Sequence, residues 1–292
     1  MFDPATAMVA LRFVAFVAAS SVFGTSLIAT VADPTARDDH PLRRNRWTML
    51  CASSALVAAV LWLPVEAALA GGAWQSVDAR LMSTLALDTV VGHGWMLRTA
   101  LALATVISVR LVSHRSAVVA ATSGAMLASF AFGGHAVMDE GVRGSVHIAV
   151  DVLHLLAAGA WSGSLLPLAS KLRFTVHRFP EAARAKTLLL TYSRAGHIAV
   201  TIVVLSGIAN TVLDIGDGQY RLESPYVLVL LAKIVLVAVM IGFALRNRYR
   251  LTPHLTSQPA VIGLVRRAAL AEASIATVVL GLAALLGTLS PA

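Results

Sequence analysis

Residues 145–168, SVHIAVDVLHLLAAGAWSGSLLPL, are apolar enough to span a bilayer yet carry two histidines and an aspartate. His147, Asp151 and His154 stand at i, i+4 and i+7, so an α-helix aligns them in one stripe, and Trp161 extends it by two further turns. Ionisable groups at membrane depth are costly and face a cavity, a partner or a bound ion. Imidazole and carboxylate, with thioether in reach, suit copper in either oxidation state. The single cysteine, Cys51, excludes an intrachain disulfide and any Cys-pair metal motif. His147 and His154 are roughly 10 Å apart along the axis, too far to share one ion comfortably. Asp151 reaches either neighbour: it co-ligates with His147, or fixes the tautomer of His154.

A membrane bundle must position these groups. The 292 residues are 58% hydrophobic and 13% charged, far from the balance of a soluble domain. Hydropathy predicts an all-α polytopic bundle of eight spans in one domain, at 5–31, 47–70, 92–112, 117–137, 145–170, 187–213, 225–246 and 266–289. Pro64 and Pro167 fall within spans, and Ser224-Pro225 reads as an N-cap followed by a first-turn proline. There is no GxxxxGK[ST] phosphate loop and no loop long enough for a nucleotide-binding domain, which argues against direct ATP-driven transport.

The connecting segments alternate in charge. Those near 32–46, 110–116, 171–186 and 246–267 hold 4, 2, 5 and 5 Lys/Arg, whereas 71–91, 138–144 and 214–224 hold only Arg80, Arg143 and Arg221. The basic set is cytoplasmic by the positive-inside rule, so both termini face the periplasmic side. The net charge of +8 is thus topological and does not indicate nucleic acid. The first span lacks a basic n-region and reads as an uncleaved helix.

With this orientation Glu66, His93, Arg98, His135, His147, Asp151, His154 and Lys233 all fall in the outward half, and Arg194, His197 and Glu272 in the cytoplasmic half. A polar cavity opening outward follows. Its outer metal site would be His135, His147 and Asp151, with Met138 or His93 added, and His154 a deeper station. Simpler roles compete. Asp151 neutralises Lys233 or Arg98, His147 hydrogen-bonds at the interface, Trp161 packs, and Gly159-xxx-Gly163 is a close helix contact.

Three segments carry a family resemblance. They are Phe132-Gly-Gly-His135-Ala with Asp151-Val-Leu-His154-Leu-Leu-Ala-Ala-Gly-Ala-Trp161-Ser-Gly163; Tyr192-Ser-Arg194 running to Ser206-Gly207-Ile-Ala-Asn210; and Tyr226 through Lys233 to Leu245-Arg246-Asn247-Arg248, with Glu272 in the last span. Together they resemble the copper resistance protein D family, well over 132–292 and by span count before that. Ser164 departs from an expected second glycine. The resemblance implies a non-enzymatic copper permease of the bacterial inner membrane, importing copper received from a periplasmic copper-binding protein. His135, Asp151, His154 and Trp161 match the family's characteristic positions. Two alternatives stand beside it: a b-type haem protein, which needs two histidines at one depth on facing helices, and a non-transporting assembly partner or copper sensor.

Overall fold

The computed structural model describes residues 3–32, 46–133, 141–175, 181–215, 223–254 and 260–290, and within them the only regular structure is helical. Nine α-helices follow in order: α1 Pro4–Ala32, α2 Arg46–Ala70, α3 Ala79–Asp88, α4 Val90–Leu111, α5 Ser116–Ala128, α6 Gly141–Thr175, α7 Glu181–Ile215, α8 Pro225–Arg246 and α9 Ala260–Leu286. All but α3 lie in the eight segments long and apolar enough to cross a membrane. A bilayer offers no partner to a bare peptide group, so these runs satisfy their backbone internally as helix.

The expected spans hold to within a few residues, with two differences. The fourth leaves α-geometry at Ala128 and continues as a 3-10 turn, Ser129–Gly133; its expected last residues, with His135 and Met138, lie outside the described residues. The segment 71–91, read as a loop, contains a 3-10 turn at Trp74–Ser76 and the short helix α3. Asp78 caps α3 by accepting from the Leu81 N–H at 2.7 Å, and Thr89 Oγ1 caps α4 by accepting from Gly92 N–H at 3.0 Å. Ten residues of mixed polarity escape a hydropathy window but not two good caps. The Ser224 cap with Pro225 in the first turn of α8 is as expected.

Helices α1, α2, α4 and α5 pack as a ring, and α6 packs on α7 and α9, while α8 lies principally along α9. The two groups of four join where their first helices, α1 and α6, cross. A Cβ on Gly163 would overlap the Ser20 carbonyl oxygen, and one on Gly24 would overlap the Gly163 carbonyl carbon. Only glycine permits this backbone-on-backbone contact, so the Gly159–Gly163 pair does serve helix packing. Gly287, just past α9, lies against the Arg12 side chain of α1.

Candidate functional site

Helices α6 and α7 run antiparallel, and three polar pairs bridge them in one register. At the terminal face His147 Nε2 lies 3.4 Å from Asp214 Oδ1. One turn deeper the Asn210 amide donates to Asp151 Oδ1 at 3.2 Å. Below that His154 Nδ1 lies 3.0 Å from Ser206 Oγ. Ser206, Asn210 and Asp214 are four residues apart, so α7 turns one polar face toward the α6 stripe. Tyr226 at the start of α8 donates to Asp214 Oδ2 at 3.2 Å, and Arg143 donates to the Leu213 carbonyl at 3.0 Å, tying the mouth together.

Proton accounting sets the state of the deepest rung. The Ser206 hydroxyl donates back to the Ile202 carbonyl, as serine does within helices. Its one proton is then committed, so Ser206 Oγ accepts from His154 Nδ1–H, and the imidazole presents Nε2 as a lone pair. Asn210 Oδ1 is buried without a hydrogen-bond partner, which leaves a second acceptor on the ladder.

This arrangement decides between the roles weighed for Asp151. Asp151 does not orient His154; Ser206 does. Among the cations that act on Asp151, Lys233 on α8 is the strongest and acts on Asp214 as well, with His147 and Arg12 contributing. Arg98 belongs to the other group of helices. It is 4% exposed, its guanidinium lies 4.5 Å from the ring centres of both Trp62 and Phe130, and Arg12 and Glu66 are its charged neighbours. Glu66 therefore joins an arginine pair rather than the ladder.

The remaining expected residues fall as follows. His147 is 3% exposed, buried beside Asp214. His93 is exposed and its Nε2 lies 3.0 Å from the Leu87 carbonyl, so the α3–α4 turn engages it away from the ladder. Trp161 is buried among α6, α7, α8 and α9. Glu272 is 3% exposed and accepts from the Asn247 amide at 2.7 Å; both line a cavity of about 250 Å³ with Trp161, Tyr192, His197 and Arg248. Among the described residues no three His, Cys, Asp or Glu side chains converge tightly enough to hold a metal ion. Asp214 and Arg12 were not singled out in the sequence, and Asn247 was named there only within the resemblance segment. Asp214 closes a span beside Asp217 and reads as loop, whereas its spacing of four from Asn210 was the available signal.

Eight membrane-crossing helices with imidazole, carboxylate and amide groups matched across one interface define a polytopic membrane protein with a polar interior on one side of its bundle. Residues 1–145 match the copper resistance protein D-like N-terminal domain, and residues 186–286 match copper resistance protein D. The chain is 32% identical to copper resistance protein D of Pseudomonas syringae pv. tomato over 70% of each chain. It is also 32% identical to inner membrane protein YebZ of Escherichia coli strain K12, over 97% of this chain and 98% of that one. The protein belongs to the copper resistance protein D family. No solved structure matches the chain.

Proposed function

We propose that the protein is a copper-binding permease of the inner membrane that admits copper from the periplasm toward the cytoplasm. The observation that carries this reading is the ladder: His147 with Asp214, Asp151 with Asn210 and His154 with Ser206, aligned along one helix interface. Copper enters as substrate at the His147 end of the ladder, where His147 and Asp214 offer a nitrogen and an oxygen donor side by side. His135 and Met138, which lie outside the described residues, stand as further candidate ligands on their residue types alone. Lys233 offsets the carboxylate charge while the site is empty, and His154 Nε2 receives the ion deeper in the bundle. The positive-inside asymmetry supports periplasmic termini, and a soluble periplasmic copper-binding protein would deliver the ion. No step requires bond chemistry, so the protein acts without catalysis.

The test is radioactive copper uptake into proteoliposomes, with copper stoichiometry measured on the same preparation. Asp151→Asn and His154→Ala are each expected to cut binding and uptake at least about tenfold while the protein remains folded. Unchanged accumulation in both variants would overturn the proposal. Copper bound without flux would make the protein a membrane copper sensor or assembly partner.

A further inference from the structure

The membrane-crossing segment that contains α8 ends at Leu251, and its last residues carry three arginines, Arg246, Arg248 and Arg250, across a π turn at Asn247–Leu251. Turns of this kind are frequent at functional sites. Arg246 and Arg250 are exposed, as basic side chains at a span end commonly are. Arg248 differs. It lines the cavity of about 250 Å³ shared with Glu272 and Asn247, and its Nη1 is buried without a hydrogen-bond partner. Asn247 donates its amide N–H to Glu272, while its Oδ1 is buried and unpartnered as well.

One cavity thus presents two opposite demands. Glu272 and Asn247 Oδ1 form an accepting end, and the Arg248 guanidinium is a donating one. Buried polar atoms left unpaired are costly, so the fitting ligand answers both ends together. A metal ion would satisfy the carboxylate and face the guanidinium; an anion would do the reverse. A zwitterion satisfies both, with an ammonium on Glu272 and Asn247 and a phosphate on Arg248.

The walls point to the source of that zwitterion. Trp161, Leu165, Ile241 and Val265 make much of the lining apolar. His197 on α7 and Leu245 on α8 line the cavity yet are exposed, so it opens sideways between these helices onto the lipid-facing surface. Gly196 lines it too, and a Cβ there would meet no atom within 4 Å. Ile198 and Leu205 on α7, with Ile234 and Val235 on α8, are exposed apolar side chains along which acyl chains would lie. Basic pockets between membrane helices are known lipid-headgroup sites, and the added carboxylate selects for an amine.

We propose that this cavity binds the headgroup of an aminophospholipid with the chemistry of phosphatidylethanolamine, its ammonium on Glu272 and Asn247 and its phosphate on Arg248. Native mass spectrometry of the full chain in detergent tests this, with dioleoyl phosphatidylethanolamine and dioleoyl phosphatidylglycerol added in equal amounts. The second lipid has the phosphate and the chains without the ammonium. Wild type should retain one phosphatidylethanolamine with at least about tenfold preference. Glu272→Gln should reduce that preference to within about twofold while lipid still binds, and Arg248→Gln should weaken retention of both lipids about tenfold. Gly196→Trp fills open space and should abolish the adduct; it decides the matter if either polar variant fails to fold. Equal retention of the two lipids by wild type, a preference unchanged in Glu272→Gln, or an adduct kept by Gly196→Trp overturns the proposal. Displacement of the lipid by an equimolar amount of chain-free glycerophosphoethanolamine would overturn it too, since the bilayer would then not be the source. Copper flux enters none of these readouts, so failure of the permease reading leaves this test intact.

Discussion

His147 on α6 and Asp214 on α7 face each other at 3.4 Å, and the second Asp214 oxygen takes the Tyr226 hydroxyl from α8, so one carboxylate links three helices. Carboxylates in contact with a ligating imidazole raise its basicity and fix its ring, and their loss commonly lowers metal affinity about 10–100-fold. Asp214→Asn should lower copper affinity within that range, measured by competition with a chelator in detergent. An affinity unchanged from wild type would confine Asp214 to a structural role.

Ser206 Oγ lies 3.0 Å from His154 Nδ1 and, with the Val203 backbone, fixes the ring. Its removal frees the ring to exchange tautomers, placing a proton on Nε2 for part of the time. Nitrogen-15 NMR of histidine-labelled protein should show a single Nδ1–H tautomer for His154 in wild type and a mixture in Ser206→Ala. Copper uptake in that variant should drop about tenfold, with the outer binding site intact.

The α1–α6 crossing leaves no room for a methyl group. Gly163→Ala would drive its Cβ into the Ser20 carbonyl, whereas a methyl group at Gly196 or Gly242 would meet no atom within 4 Å. Overpacking costs about 1–3 kcal/mol. Thermal unfolding in detergent should show that loss for Gly163→Ala and no comparable change for Gly196→Ala or Gly242→Ala.

Spectroscopy separates copper handling from haem binding. A Cβ on Gly207 would lie 3.4 Å from the His154 ring, so α7 closes against the imidazole on that side. The purified protein, oxidised and then reduced with dithionite, should show no Soret band. A strong Soret band with stoichiometric iron would make it a haem protein.

Hydropathy carried most of the fold, because each span declares itself locally. The bounds of α8 coincide with their expected values since Ser224 and Pro225 punctuate them. The α6 stripe was equally legible, being a property of one helix. Which helix faces that stripe was not, since periodicity reports a face and never the neighbour. Lys233 and Arg98 therefore stood as equal candidates for the counter-charge of Asp151, and its hydrogen-bond donor Asn210 was not paired with it. Arg12 sits near the start of the first span, where an arginine normally reaches out to water, yet it stacks on Phe16 and Trp62.

The matched register of α6 and α7 also makes the protein unequally tolerant of changes in chain length. Residues added between the two helices alter no rung, because each helix keeps its own spacing. One residue inserted between His147 and Asp151 is different: it turns everything beyond it by about 100° and advances it by about 1.5 Å. His147 would then leave the face it shares with Asp151 and His154, and no side-chain rotation on α7 would restore all three pairs together. The interior of α6 is thus a fixed reading frame, while the connection that follows it is free to vary.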